Sequence, residues 1–184
     1  IADELHKPAR EPRKYRKVEV SGVNEIWSMD LVDMSKFAEH NDENKYLLTC
    51  IDVFSRFAWG EKLKSTSGDD VSKAIKNIIT DAKAHPKNIW VDEGKEFYNK
   101  DVEKVVGKNV LYSTWGKAKA AVIERFNRTL KSMMYKEFTK KGTRKWIDML
   151  ENLLEKYNNK KHRSLDGHTP KEIFNKKPNL GHIK

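Results

Sequence analysis

The 184-residue chain holds a single cysteine, Cys50, which excludes an internal disulfide and suits a reducing, intracellular setting. No apolar run approaches the length of a membrane span, and no secretory leader is legible. Six histidines and one cysteine give no zinc-finger spacing. There are no repeats and no internal domain break. Acidic charge is also short: 27 Asp and Glu stand against 37 Lys and Arg, a net charge of +10. That excess favours a polyanionic partner, most simply nucleic acid, over a membrane. With 38% hydrophobic and 35% charged residues, one ordinary domain with a heavily charged surface is expected. The chain begins with Ile and is read as a piece of a longer protein.

Residues 1–22 carry Lys7, Arg10, Arg13, Lys14, Arg16 and Lys17 with Pro8 and Pro12, the pattern of an extended basic arm. Such an arm either tracks a phosphate backbone or is a solvated tail. Residues 26–34 read as a strand, with Trp27, Met29 and Leu31 on one side and Asp30 on the other, between Ser28 and Val32. Residues 35–45 read as a polar loop. Strands are expected at 46–54 and 57–63, and their short connections imply an antiparallel meander. The period then changes: Ser65, Thr66 and Ser67 offer N-caps, and Val71, Ala74, Ile75, Ile78 and Ile79 recur at helical spacing. A buried strand at 88–91 ends on Asp92. A short helix at 99–106 and a fifth strand at 109–112 follow.

The stretch 115–138 carries the most information. Ile123, Phe126, Leu130, Met134 and Phe138 form one helical stripe, and Glu124, Arg128, Lys131 and Tyr135 form the next. Glu124 with Arg128 is readable as a solvated i,i+4 ion pair. It is equally readable as a catalytic carboxylate beside a cationic rail. A further helix over about 143–158 and a last helical turn near Pro170 complete a mixed α/β domain spanning 23–176, with a tail at 177–184.

Asp30 within a strand, Asp92 at the end of a buried strand and Glu124 on a helix suggest metal-assisted chemistry. Carboxylates held close together repel, and divalent cations among them relieve the repulsion. Oxygen ligands suit magnesium or manganese, and two such ions can serve an in-line phosphoryl displacement. Spacing alone does not single out this triple among so many acids.

Four ordered motifs do. Trp27-Ser28-Met29-Asp30, Ile51-Asp52-Val53-Phe54-Ser55-Arg56, Asp92-Glu93-Gly94-Lys95-Glu96-Phe97 and the run Lys119 to Arg128 resemble the catalytic core of retroviral-type integrases and related transposases. The flavour is similar to integrases of Maverick/Polinton elements, virophages or retrotransposons. Tyr157-Asn158-Asn159, His162-Arg163-Ser164-Leu165 and Thr169 to Phe174 resemble the segment after that core. The resemblance implies an RNase H-like fold, a five-stranded mixed sheet flanked by helices. It places the metal-binding, catalytic acids on Asp30, Asp92 and Glu124, with two Mg2+ (or Mn2+) ions when DNA is bound. It puts DNA contacts on Arg128 and Lys131, and Lys117 and Lys119 extend that basic run. Between Asp92 and Glu124 lie 31 residues, fewer than is usual in retroviral members, which puts the geometry of the active-site loop in question.

The expected activity is trimming of an element's 3′ end and transfer of its 3′ hydroxyl into target DNA, by a dimer or larger assembly, in the host nucleus. A nuclease that only hydrolyses, or a domesticated DNA-binding domain without chemistry, are the alternatives. Among neighbouring residues, Asp33 reads as solvated, Asp52 as a turn cap, and Glu93 and Glu96 as nearby acids. Gly94 reads as a conformational need. Arg125 is free to turn toward a structural partner. Trp115 reads either as a base-stacking aromatic or as core, and His162 and Arg163 either contact phosphate or cap a helix.

Overall fold

The computed structural model describes residues 19–108, 110–113 and 121–176. The basic arm up to residue 18, the 114–120 stretch with Trp115, Lys117 and Lys119, and the tail from 177 lie outside the described residues.

Five strands form one sheet in the order β3-β2-β1-β4-β5. They are β1 (Ile26–Asp33), β2 (Tyr46–Asp52), β3 (Ala58–Leu63), β4 (Asn88–Val91) and β5 (Leu111–Ser113). The first three make the expected antiparallel meander. β4 and β5 join parallel to β1 through helical crossovers, α1 (Gly68–Ala82) and α2 (Lys100–Val106). α3 (Ala121–Lys141), α4 (Leu150–Asn158) and α5 (Pro170–Asn175) follow.

Alternation along the strands divides the core into two layers. Trp27, Met29, Leu48, Cys50, Ile89 and Val91 pack with Val71, Ile75 and Ile78 of α1 and Val102 of α2. On the other face Val32, Leu47 and Ile51 meet Ile123, Phe126, Leu130, Met134 and Phe138 of α3 and Leu150 and Leu153 of α4. The α3 stripe is therefore the one read from its 3.6-residue period. A smaller cluster of Ile26, Val53 and Trp90, joined by Val20 and Val122, sits under the start of α3.

Helix ends are chemically specified. Ser67 caps α1 by accepting from the Asp70 amide. Thr169 and Glu172 form a reciprocal capping box on α5, with Pro170 in its first turn.

Two expectations are corrected. The 35–45 stretch is not a plain loop: Ser35–His40 is a 3-10 helix that buries Phe37 and Ala38. Asn41 follows it, fully buried. Its Nδ2 donates to the Phe37 and Arg144 carbonyls, while its Oδ1 accepts from the Trp146 and Ile147 amides. Those bonds pin the chain at 144–147 in an irregular path, so the helix expected from 143 begins at Leu150. β5 runs Leu111–Ser113, and Asn109, where the expected 109–112 strand starts, lies outside the described residues.

Candidate active site

Asp30 faces the α3 layer because it shares the parity of Ser28 and Val32, opposite to Trp27 and Met29. β4 pairs parallel with β1 in a register that sets Ser28 beside Trp90. That pairing ends at Ser28 and Trp90, and the chain leaves β4 at Asp92, near enough for its charge to reach Asp30. Asp30's carboxyl is pushed above its ordinary range, first by burial and then by the negative charge of Asp92. The Leu31 amide, the Asn127 side chain and the charge of Lys131 pull the other way.

Asn127 comes down from α3 and donates its Nδ2 to Asp30 Oδ2 at 2.7 Å. Its own Oδ1 is buried with no hydrogen-bond partner. Sequence reasoning missed this residue. The available signal was its place at the border between the apolar stripe and the Glu124 stripe, three residues after that acid.

Glu124 stands in the first turn of α3 and is exposed. It is one turn before Asn127, about 4.5 Å back along the axis and 60° round from it. It makes no ion pair with Arg128, since neither residue occurs in any carboxylate–cation contact within 4 Å among the described residues. Nor do three His, Cys, Asp or Glu side chains converge anywhere among the described residues into a metal-holding group. The sheet thus brings Asp30 and Asp92 together, while Glu124 stays on the helix beside them.

The donor chemistry fits a hard divalent cation. Two carboxylates lie near each other, at least one of them destabilised by the other's charge, and an amide oxygen without a partner lies within the same cluster. Magnesium or manganese would supply charge neutralisation for an attacking or leaving oxygen. Asp30 and Asp92 are the residues positioned to hold it.

Around this centre the cationic stripe is in place. Arg128 and Lys131 are exposed on α3. Lys131 is close enough to Asp30 and Asp33 for its charge to lower both carboxyls' affinity for protons. Farther along, Lys36 from the 3-10 helix donates to the Tyr135 hydroxyl at 2.7 Å and lies over the Phe37 and Tyr135 rings.

The neighbouring polar groups take structural roles. Asp33 caps the Ser35 amide and hydroxyl. Asp52, fully buried, accepts from the Ser55 amide at 2.6 Å, the Ser55 hydroxyl at 2.7 Å and the Asn24 amide at 2.7 Å, so it is a turn cap. Gly94 donates its amide to Asp92 Oδ1, and its φ is not in the left-handed range, so backbone freedom is not its reason. A Cβ there would meet the Glu96 carboxylate, the far end of a flexible side chain that can swing aside.

A mixed sheet in the order 3-2-1-4-5, flanked by helices, defines an RNase H-like fold. Residues 20–118, more than half of the chain, match the sequence model of the family described as Integrase core domain. The chain belongs to that family, as a retroviral-type integrase core. The match takes in Asp30 and Asp92 and stops short of Glu124.

A transposon-derived protein of Caenorhabditis elegans is 36% identical over 142 residues, which are 76% of this chain and 49% of that protein. The Gag-Pol polyprotein of baboon endogenous virus is 27% identical over 147 residues, 78% of this chain and 8% of the polyprotein. The chain therefore spans about half of the first relative's length and far less of the second's. Among solved structures, the HTLV-2 integrase catalytic core domain in complex with magnesium superimposes with a TM-score of 0.68 at 18% identity, covering 86% of this chain and 99% of that one. A simian T-cell lymphotropic virus intasome chain gives 0.77 at 16% identity, covering 97% of this chain and 64% of that one. At such identities the likeness speaks for the fold. No described helix is long and apolar enough to cross a membrane.

Proposed function

We propose that this chain is the catalytic core of a DNA integrase, carrying out metal-dependent 3′-end processing and strand transfer of element DNA into target DNA. Asp30, Asp92 and Glu124 hold the magnesium or manganese ions. Arg128 and Lys131, with Lys117 and Lys119, grip the phosphodiester backbone that brings in the reacting phosphorus. Water attacks first and releases the terminal nucleotides. The new 3′ hydroxyl then attacks a target phosphodiester, displacing a 3′ oxygen there. Neither step needs a covalent protein intermediate. Glu124 completes the acid set when DNA and cations screen its repulsion from the other two. The protein works as a dimer or larger assembly.

The observation that carries this reading is the nearness of Asp92 to Asp30, whose carboxyl is raised first by burial and then by the Asp92 charge. The HTLV-2 core in complex with magnesium adds weight. The test supplies pre-trimmed duplex ends and target DNA with Mn2+. Joined product is expected, and Asp30→Asn, Asp92→Asn and Glu124→Gln are each expected to abolish it. Hydrolysis without joining would make the protein a nuclease instead. Full activity in any of the three variants would remove the assignment.

A further inference from the structure

Lys36 is an exposed cation held in place without an acid. It belongs to the 3-10 helix Ser35–His40, which the buried Asn41 ties to the chain at 144–147. Its Nζ donates to the Tyr135 hydroxyl at 2.7 Å, and lies 4.8 Å from the Phe37 ring centroid and 5.3 Å from that of Tyr135. Phe37 and Phe138 are buried and meet edge-on at 5.3 Å, and Tyr135 meets Phe138 edge-on at 5.7 Å. The ammonium therefore sits on a seat of rings rooted in the core. No carboxylate lies within 4 Å of it among the described residues. Of its neighbours in the chain, Asp33 is committed to the Ser35 amide and hydroxyl, and Glu39 lies against His40.

An ammonium can only donate, so the Tyr135 oxygen accepts from Lys36 and keeps its own proton to give elsewhere. Tyr135 is 41% exposed, and the remaining N–H donors of Lys36 are exposed beside it. One positive charge with O–H and N–H donors side by side suits an anionic oxygen. Holding a long lysine in one place ordinarily costs side-chain entropy on binding, and the ring seat meets that cost in advance. The pair also lies in line with the acids. Taking Glu124 as origin, Arg128 is about 40° round, Lys131 about 20° the other way and Tyr135 about 20° round, so the four share a strip about 60° wide. Tyr135 stands about 16.5 Å beyond Glu124 along the axis of α3. Lys131, between them, is close enough for its charge to reach Asp30 and Asp33. The strip thus runs from the acids to the Lys36–Tyr135 pair.

We infer that Lys36 and the Tyr135 hydroxyl form a phosphate clamp at the far end of this strip, taking one backbone phosphate of duplex DNA with no base readout. Lys36 supplies the charge and Tyr135 the second hydrogen bond, and the Phe37 ring beneath fixes the ammonium. Arg128 and Lys131 hold the backbone nearer the acids, and the clamp sets the direction in which the duplex leaves them. The inference rests on the reading of the chain as a DNA-processing core. It also gives the 3-10 helix, whose sequence reads as a polar loop, a part in holding DNA.

The experiment measures binding of the full chain to a fluorescein-labelled blunt DNA duplex by anisotropy, across a range of salt. Lys36→Met, which keeps an apolar stem on the rings, is expected to weaken binding about tenfold at physiological salt, and to lower the log–log salt slope by about 0.9, the loss of one phosphate contact. Tyr135→Phe, which keeps the ring, is expected to weaken binding about fivefold with the slope unchanged. Duplexes that each carry one uncharged methylphosphonate then locate the contact: at one position the change weakens the wild type and leaves Lys36→Met unaffected. Melting temperatures of both variants are expected within about 4 °C of the wild type, because the pair is exposed. Lys73→Gln is the control. Lys73 is exposed on α1, across the sheet, and paired with Asp69. If Lys36→Met keeps the wild-type slope, whatever its melting temperature, the pair only tethers the 3-10 helix to α3 and the clamp is overturned. The same follows if Lys73→Gln lowers the slope as much as Lys36→Met. If the wild type shows no salt-dependent DNA binding at all, the reading beneath it fails first, and the clamp falls with it.

Discussion

Replacing Asn127 by leucine separates stability from chemistry. Two effects on folding oppose each other. The bond from Asn127 Nδ2 to Asp30 Oδ2 at 2.7 Å is lost, which costs about 1.5–3 kcal/mol because the acceptor is charged. The buried, unpaired Oδ1 is lost too, which recovers about 1–3 kcal/mol. Leucine is close in volume and the site is 7% exposed, so the pocket stays filled. The net change is within about 1 kcal/mol, a shift of at most about 4 °C in Tm for a chain of this size. Activity follows a different rule. Asp30 loses the contact that fixes its carboxylate, and misplacement by about 1 Å costs on the order of 10²-fold. The pH profile moves as well. The Asn127 bond lowers the Asp30 pKa, so its removal raises that pKa and carries the acid limb of the joining rate to higher pH. Thermal melts and strand-joining rates across pH give all three readouts. A variant that joins DNA at the wild-type rate with an unmoved acid limb would refute the positioning role of Asn127.

Asp30→Asn is expected to stabilise the fold at neutral pH without divalent ions. Burial and Asp92 raise the folded pKa, so the stability Asp30 contributes is full below its unfolded value and is lost as pH rises through the folded one. The gap between variant and wild type in urea melts should therefore close as pH falls toward 4, and a variant less stable at pH 7 would contradict this. Asp52→Asn is expected to cost about 2 kcal/mol in urea unfolding, since one NH2 must face donors from Ser55 or Asn24. Asn158→Leu strips both partners from the Ala58 amide and carbonyl, bonded at 2.9 and 2.8 Å on an edge strand, and is expected to cost about 2–5 kcal/mol. A loss below about 1 kcal/mol would mean that water replaces the asparagine there.

Local periodicity carried much of the architecture. Alternation separated Asp30 from Trp27 and Met29, and the 3.6-residue stripe of α3 reappears in the core with each of its five members buried. Long-range partners were not legible, because nothing local marks them. Asn41 looks like one more polar residue in a polar stretch, yet it holds four backbone groups, three of them more than 100 residues away. Lys36 lies 99 residues from Tyr135. Asn127 acts through Asp30, 97 residues earlier, and a helical pattern gives no reason to prefer its donor over that of any other border residue.

The acids are held by supports of unequal stiffness. Asp30 is built into β1, and Asp92 directly follows β4, the strand paired parallel to it. Glu124 sits in the first described turn of α3, one turn before Asn127, which bonds Asp30. Moving Glu124 inward therefore requires a shift of the first turn of α3 and no repacking of the sheet. Such a turn lies under little core beyond Val122 and Ile123. The sheet-held pair carries the electrostatic cost continuously. On the proposed reading, the helix-held acid would add its charge only when something positive arrives to receive it, and that division would let one fold remain stable with an incomplete acid set.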